Sequence, residues 1–241
     1  RTYFRDHVVL SRQLSSGVTG SVNEAERINV ETVEISGLRF NNLIADVANL
    51  GHIENRRGVK ILGLIGFAML RNFEIVFDPQ QNQLQLFRID KKGARTNRNS
   101  SAFITDYTCN FTEKNNILFI STRLYGRIMT FCLDTGAETN VLDVNVPRAV
   151  LAAVTVTRRS TLNGAGTVTS DVLFGKMNGF MFGKKTLDNM DTVITSLDAL
   201  SEAYDKKIDG MLGYSFLSKG VICINFVKME FSIRFSNQTE E

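Results

Sequence analysis

The sequence has no run of 18 or more apolar residues, so it holds no segment that would span a membrane as a helix. The most apolar stretch, KILGLIGFAML (60–70), is too short and is broken by glycines. Net charge is only +3, too little to argue for nucleic acid as a partner. The one basic cluster, Lys91, Lys92, Arg95 and Arg98, lies in a polar run with Gly and Asn, and reads as a solvated linker. Three cysteines, Cys109, Cys132 and Cys223, show no CxxC spacing. Cys132 and Cys223 sit in apolar strand-like runs and read as buried thiols, although the spacing leaves a disulfide open. The two histidines, His7 and His52, stand apart and complete neither a zinc pattern nor a nucleophile–base pair. GYSFL (213–217) is not a serine-hydrolase elbow, because Leu217 stands where a second Gly is required. No metal or organic cofactor is implied.

What is present is 241 residues, 43 % of them hydrophobic, enough for two modest domains with a sizeable core. The chain repeats itself. KILGLIGFAMLRNFEIVFD (60–78) lies over KIDGMLGYSFLSKGVICIN (207–225) without a gap, with Lys, Ile, two Gly, Leu and a further Ile identical. About one identity would be expected by chance. The register extends to Leu84 and Leu86 over Phe231 and Ile233, and SGLRF (36–40) is similar to NGFMF (178–182). Two related lobes follow: residues 1–90, a polar basic linker over 91–100, and residues 101–241.

Each lobe reads as mainly β. ILFISTRLYGRIMTFCL (117–133) predicts two strands about a tight turn at Tyr125-Gly126. Residues 73–87 and 220–235 predict hairpins turning at Asp78-Pro79 and near Val227-Lys228. Helix is scarce. VPRAVLAAV (146–154) predicts one, with Asn145 near its N-cap, and GYSFLSKG (213–220) a short one closed by Gly220. Short strands with glycine turns imply small barrel-like lobes.

CLDTGAETNVL (132–142) places an ionisable Asp134 at the end of an apolar strand and returns at once to apolar residues. A second glycine turn, IDGMLGYSFL (208–217), follows about 75 residues later. This constellation resembles the retropepsin-like aspartic proteases, in which a strand delivers a DTGA turn that a later apolar-apolar-Gly element and short helix buttress. The resemblance covers residues 101–241, and lobe one from partway through the fold. It implies an aspartic peptidase with Asp134, Thr135 and Gly136 catalytic, and Thr135 locking the two catalytic loops together. Ala137 and the flap residues Gly164, Ala165 and Gly166, in STLNGAGTVTS (160–170), would contact a peptide or protein substrate. LSSGVTGSV (14–22) is the flap's counterpart in lobe one. Leu133 and Val141 would keep water from the site. The resemblance also points to an extracytoplasmic location, since bacterial tandem proteins of this kind are often exported.

Such chemistry uses two carboxylates sharing one proton, and only one Asp-Thr-Gly is present. Matching RTYFRDHVVL (1–10) to the residues near 144–153 leads to the expectation that lobe one is N-terminally truncated and lacks its own turn. Asp209 reads as a turn residue rather than the partner. Three readings stand. Asp134 pairs with an upstream aspartate, or with its own copy in a homodimer, or the protein is a pseudoprotease that binds extended peptides without cutting them.

Overall fold

Alternating apolar and polar residues run through most of the chain, and it folds mainly as β-strands with a few short helices. The structure, a computed structural model, describes residues 8–15, 23–47, 50–97, 100–163 and 169–236. Two compact units divide at Met69/Leu70.

In the first unit, β1 (Val8–Ser15), β2 (Asn23–Ile35) and β3 (Leu38–Val47) form an antiparallel sheet, followed by α1 (Gly51–Arg57). Its β2–β3 turn at Ser36-Gly37 uses φ of 48° and 79°, values that suit a tight two-residue hairpin. Among this unit's described residues only Ile28 is a buried hydrophobic. A helical turn, α2 (Phe67–Leu70), falls at the boundary.

The second unit opens with the hairpin β4 (Phe73–Asp78) and β5 (Gln83–Arg88). Then come β6 (Tyr107–Lys114), β7 (Ile117–Leu124), β8 (Arg127–Leu133), β9 (Asn140–Asp143), α3 (Arg148–Leu151), β10 (Val154–Asn163) and β11 (Thr169–Met177). After the short strands β12 (Phe180–Phe182) and β13 (Lys185–Leu187) follow β14 (Met190–Thr195), α4 (Asp198–Ala203), β15 (Gly210–Leu212), α5 (Tyr214–Leu217), β16 (Gly220–Asn225) and β17 (Glu230–Phe235). The strand order is β10-β11-β14-β9-β15-β8-β7-β6-β17-β16-β4-β5, with β12 and β13 attached at β7.

The two hairpins predicted from the repeat share one register. Phe73 pairs with Arg88 and Asp78 with Gln83; 147 positions later, Gly220 pairs with Phe235 and Asn225 with Glu230. Each turn ends on a residue with positive φ, Asn82 (51°) and Met229 (56°), and α2 and α5 stand at the same shift. β4 and β16 also pair with each other, Ile75 with Ile224, Val76 with Cys223 and Phe77 with Ile222. A local two-fold axis through Val76 and Cys223 therefore exchanges each residue with its repeat counterpart.

The β7–β8 hairpin turns at Tyr125-Gly126, with φ of 51° and 76°. Three expectations are corrected. The helix predicted over 146–154 is the single turn α3, because Val154 is drawn into β10 opposite Met177. Asn145 does not cap it; its amide donates to the Asp143 and Asp198 carboxylates. Gly220 opens β16, and α5 ends at Ser218. All three cysteines are free.

The core of this unit is aromatic. Phe131, Phe180, Phe182, Phe216 and Phe231 are all buried, with ring centroids 5.1 Å apart for Phe182–Phe216 and 5.4 Å for Phe131–Phe180. Edge-on ring pairs of this spacing add to the burial of their area. A second cluster holds Phe119, Cys132, Leu197, Leu200, Ile208 and Met211. Neighbouring residues of β8 thus enter different clusters, Phe131 the first and Cys132 the second. A strand buried on both faces needs a continuous apolar run, which explains IMTFCL ahead of Asp134.

Candidate active site

β8 delivers Asp134 and is itself clamped by β15. Gly210, Met211 and Leu212 run parallel to Phe131, Cys132 and Leu133, while Gly210 and Met211 pair antiparallel with Leu142 and Val141 of β9. β15 is therefore wedged between the strand that enters the turn and the strand that leaves it. The Asp134 N–H donates to the Leu212 carbonyl at 3.0 Å, extending this ladder one residue past the strand. The apolar-apolar-Gly element is the third strand of the site.

At the turn, the Gly136 N–H donates to Asp134 Oδ1 at 2.8 Å. This fixes one carboxylate oxygen and leaves the other for chemistry. A Cβ on Gly136 would stand 3.2 Å from that oxygen, a tight contact that favours glycine at this position. Asp134 is half-buried, and Thr135 and Gly136 are exposed at the tip. Ala137 is half-buried; its carbonyl accepts the Tyr214 N–H at 2.7 Å, and the Glu138 carbonyl accepts the Ser215 N–H at 3.2 Å. The start of α5 thus closes directly onto the Asp134 turn.

Gly213 makes that closure possible. A Cβ there would lie 2.4 Å from the Thr139 carbonyl oxygen and 2.6 Å from that of Ala137. Its N–H donates to Oδ1 of Asn140, a fully buried side chain whose Nδ2 has no hydrogen-bond partner. Sequence reasoning passed over Asn140, because a polar residue after the turn looks solvated.

Asp209 is not the turn residue expected. Its carboxylate accepts the Thr130 N–H at 2.9 Å, and its own N–H donates to the Thr130 carbonyl at 2.9 Å. Thr130 lies four residues before Asp134, roughly 13 Å along a strand. Asp209 is therefore committed to holding β15 against β8. Asp143 is likewise committed: its Oδ1 accepts the Leu197 N–H at 3.2 Å ahead of α4.

Behind the turn, burial and then the negative Asp134 carboxylate push the Cys132 thiol up to about 12. Burial, then Cys132 and Asp134, raise the Tyr204 phenol as well. Both groups stay neutral beneath the carboxylate at physiological pH.

β10 and β11 form a long antiparallel hairpin, in register from Val154↔Met177 to Asn163↔Thr169 with one shift after Val156. The expected flap residues Gly164, Ala165 and Gly166 lie outside the described residues, as does most of the counterpart at 14–22. Among the described residues no cluster of His, Cys, Asp and Glu could hold a metal ion, and no helix is long and apolar enough to cross a membrane.

The aspartyl protease family model matches residues 120–216, from β7 to the last turn of α5. Among solved structures, the chain is similar to a retropepsin-like aspartic protease from Rickettsia conorii, at 17 % identity over 56 % of this chain and 97 % of that one (TM-score 0.37). It is also similar to an aspartic proteinase from Irpex lacteus, at 13 % identity over 98 % of this chain and 83 % of that one (TM-score 0.45). No curated protein sequence matches. The segment that matches the aspartyl protease family model, residues 120–216, carries the Asp134 turn and the strand that buttresses it.

Proposed function

We propose that the protein is an aspartic-type peptidase in which Asp134 supplies one of two carboxylates that share a proton. One member of the pair takes a proton from a water that attacks the peptide carbonyl, and the other hydrogen-bonds the carbonyl oxygen. Like charges about 3 Å apart do not both ionise cheaply, so the pair titrates as a unit. The observation that carries this reading is the anchored turn: one oxygen of Asp134 is held by the Gly136 N–H, at the end of a strand buried on both faces.

The second carboxylate is assigned to a first lobe of the same design, with lobes at 1–90 and 101–241 joined by 91–100. The shared hairpin register supports this duplication. So does a contrast in exposure. Met211 and Leu212 of β15 are 5 % and 0 % exposed, whereas their repeat counterparts Leu64 and Ile65 are 77 % and 46 % exposed. Burying such side chains contributes about 1.5–3 kcal/mol each. A strand–turn–strand like β8–β9, carrying the second aspartate, would cover them. The β10–β11 hairpin fits the role of the flap, with Gly164, Ala165 and Gly166 falling between its two strands in sequence and Ala137 on the substrate side.

One observation favours a second reading, a peptide-binding module without hydrolysis: residues 1–241 contain a single Asp-Thr-Gly. Digestion of a mixed peptide library from acidic to neutral pH separates the two. Cleavage by the chain and none by Asp134→Asn supports the peptidase. Saturable peptide binding by both, with no cleavage even when a segment carrying a second Asp-Thr/Ser-Gly is fused to the chain, would establish the module instead.

A further inference from the structure

A row of paired residues crosses one face of the sheet beside Asp134. Thr112 of β6 pairs with Phe119 of β7, Phe119 with Cys132 of β8, Cys132 with Met211 of β15, and Met211 with Val141 of β9. Paired residues share a face, and Asp134 follows Cys132 by two positions, so its turn borders this face. Phe119, Cys132 and Met211 are buried. Tyr204, at the end of α4, packs over them half-buried, its ring centroid 6.4 Å from that of Phe119. Its phenol is raised by burial, and then by Cys132 and by the Asp134 carboxylate, which borders the same surface.

Lys206 lies on this surface two residues beyond Tyr204. Its Nζ stands 4.4 Å from the centre of the Phe119 ring and donates to the Thr112 hydroxyl at 2.8 Å. Two other lysines of this rim are matched by carboxylates, Lys114 by Asp205 at 2.9 Å and Lys207 by Asp209 at 3.3 Å. Lys206, half-buried, has only these neutral partners among the described residues. An ammonium carries three donors, and Thr112 takes one of them. The ring face attracts the cation without neutralising it. A half-buried cation in this state is held in place and still gains from a carboxylate brought by a ligand.

We propose that Lys206 determines specificity by pairing with an acidic side chain of a bound peptide. The inference rests on the peptide-handling reading of the Asp134 site given above, and it narrows the substrate class to peptides carrying Asp or Glu at a set distance from Asp134. The register of the row supplies that distance. Phe119 and Thr112 lie one and two strand spacings from Cys132, about 5 and 10 Å, and Asp134 lies two residues along β8, about 7 Å. Lys206, above Phe119 and Thr112, therefore stands about 10 Å from Asp134 across the face, which an extended peptide covers in about three residues. The acidic residue falls that far from the bond held over Asp134, on the β6–β7 side.

The test measures binding, on the Asp134→Asn chain so that no peptide is consumed. The probes are fluorescein-labelled decapeptide pools, random except for a single fixed position that holds Glu, Gln or Lys and is walked along the peptide. At one position the Glu pool is expected to bind about fivefold tighter than the Gln pool at low salt, with the gap closing as salt rises. Lys206→Met, which keeps an apolar stem on Phe119, should remove the preference. Lys206→Glu should turn it toward Lys, and Lys207→Met should leave it in place. A preference that survives Lys206→Met, no preference at any position, or no binding by any pool would overturn the proposal. A Glu preference governed by Lys206 with no cleavage by the Asp134 form would count against the peptidase alone; cleavage without that preference would count against this inference alone.

Discussion

Asp209 and Thr130 are bound to each other twice, side chain to N–H and N–H to carbonyl, each at 2.9 Å. This pair pins the start of β15 against β8 and sets the height at which the strand presents Asp134. Asp209→Ala leaves the Thr130 N–H without its acceptor, at a cost of about 1–3 kcal/mol. A domain of this size loses about 2–4 °C in Tm per kcal/mol. Asp209→Asn keeps an acceptor oxygen and should lose less. Thermal unfolding of the two variants checks the order, and equal losses would contradict the role given to the carboxylate.

Gly213→Ala should harm the site more than the fold. Its methyl meets two carbonyl oxygens, and overpacking of this kind costs about 1–3 kcal/mol. The atoms that must move belong to Ala137 and Thr139, so the strain falls on the Asp134 turn. In a form that cuts peptides, kcat should drop while KM changes little.

Arg95 offers a test of buried charge. Its Nε meets Glu74 Oε1 at 2.6 Å with both side chains nearly buried, its Nη1 donates to the Ser101 carbonyl at 2.6 Å, and its guanidinium lies 3.5 Å from the centre of the Phe87 ring. Asn225 completes the cluster by donating to Glu74 Oε2 at 2.9 Å. Arg95→Ala strands Glu74 and should cost about 3–5 kcal/mol. The double variant Arg95→Met, Glu74→Gln should recover much of that loss, as chemical denaturation would reveal.

The cysteines give the protein an alkaline limit. Burial pushes Cys109 up to about 11 and Cys132 and Cys223 up to about 12, from an ordinary value of 9.0. A folded-state pKa above the unfolded one means stability that is complete below about pH 9 and is lost as pH rises toward 11–12. Replacing Cys132 and Cys223 with Ala should flatten the fall in Tm between pH 8 and pH 10.5. A parallel fall in both proteins would show that the thiols are not responsible.

Much of this was legible in the sequence, because it is written in local pattern. The hairpins at 73–88 and 220–235 follow from alternation, and their shared register from identities such as Ile75 and Ile222. The Asp134 turn stands out because a carboxylate follows a run apolar enough for a doubly buried strand. The role of Asp209 was not legible, since Asp-Gly reads as a turn unless its partner, 79 positions earlier, is known. Arg95 was misread for a similar reason. Its surroundings in sequence are polar, while the cluster it joins, Glu74, Phe87 and Asn225, comes from three different strands.

The pairing of β4 with β16 has a consequence for synthesis. Val76 leaves the ribosome 147 residues before Cys223, the residue it must lie beside. At roughly 5–20 residues per second, the β4–β5 hairpin waits on the order of 10–30 s for its partner. During that time Ile75 and Phe77 lack the core they later enter. Whatever shields the hairpin in this interval decides how much nascent chain reaches the folded state.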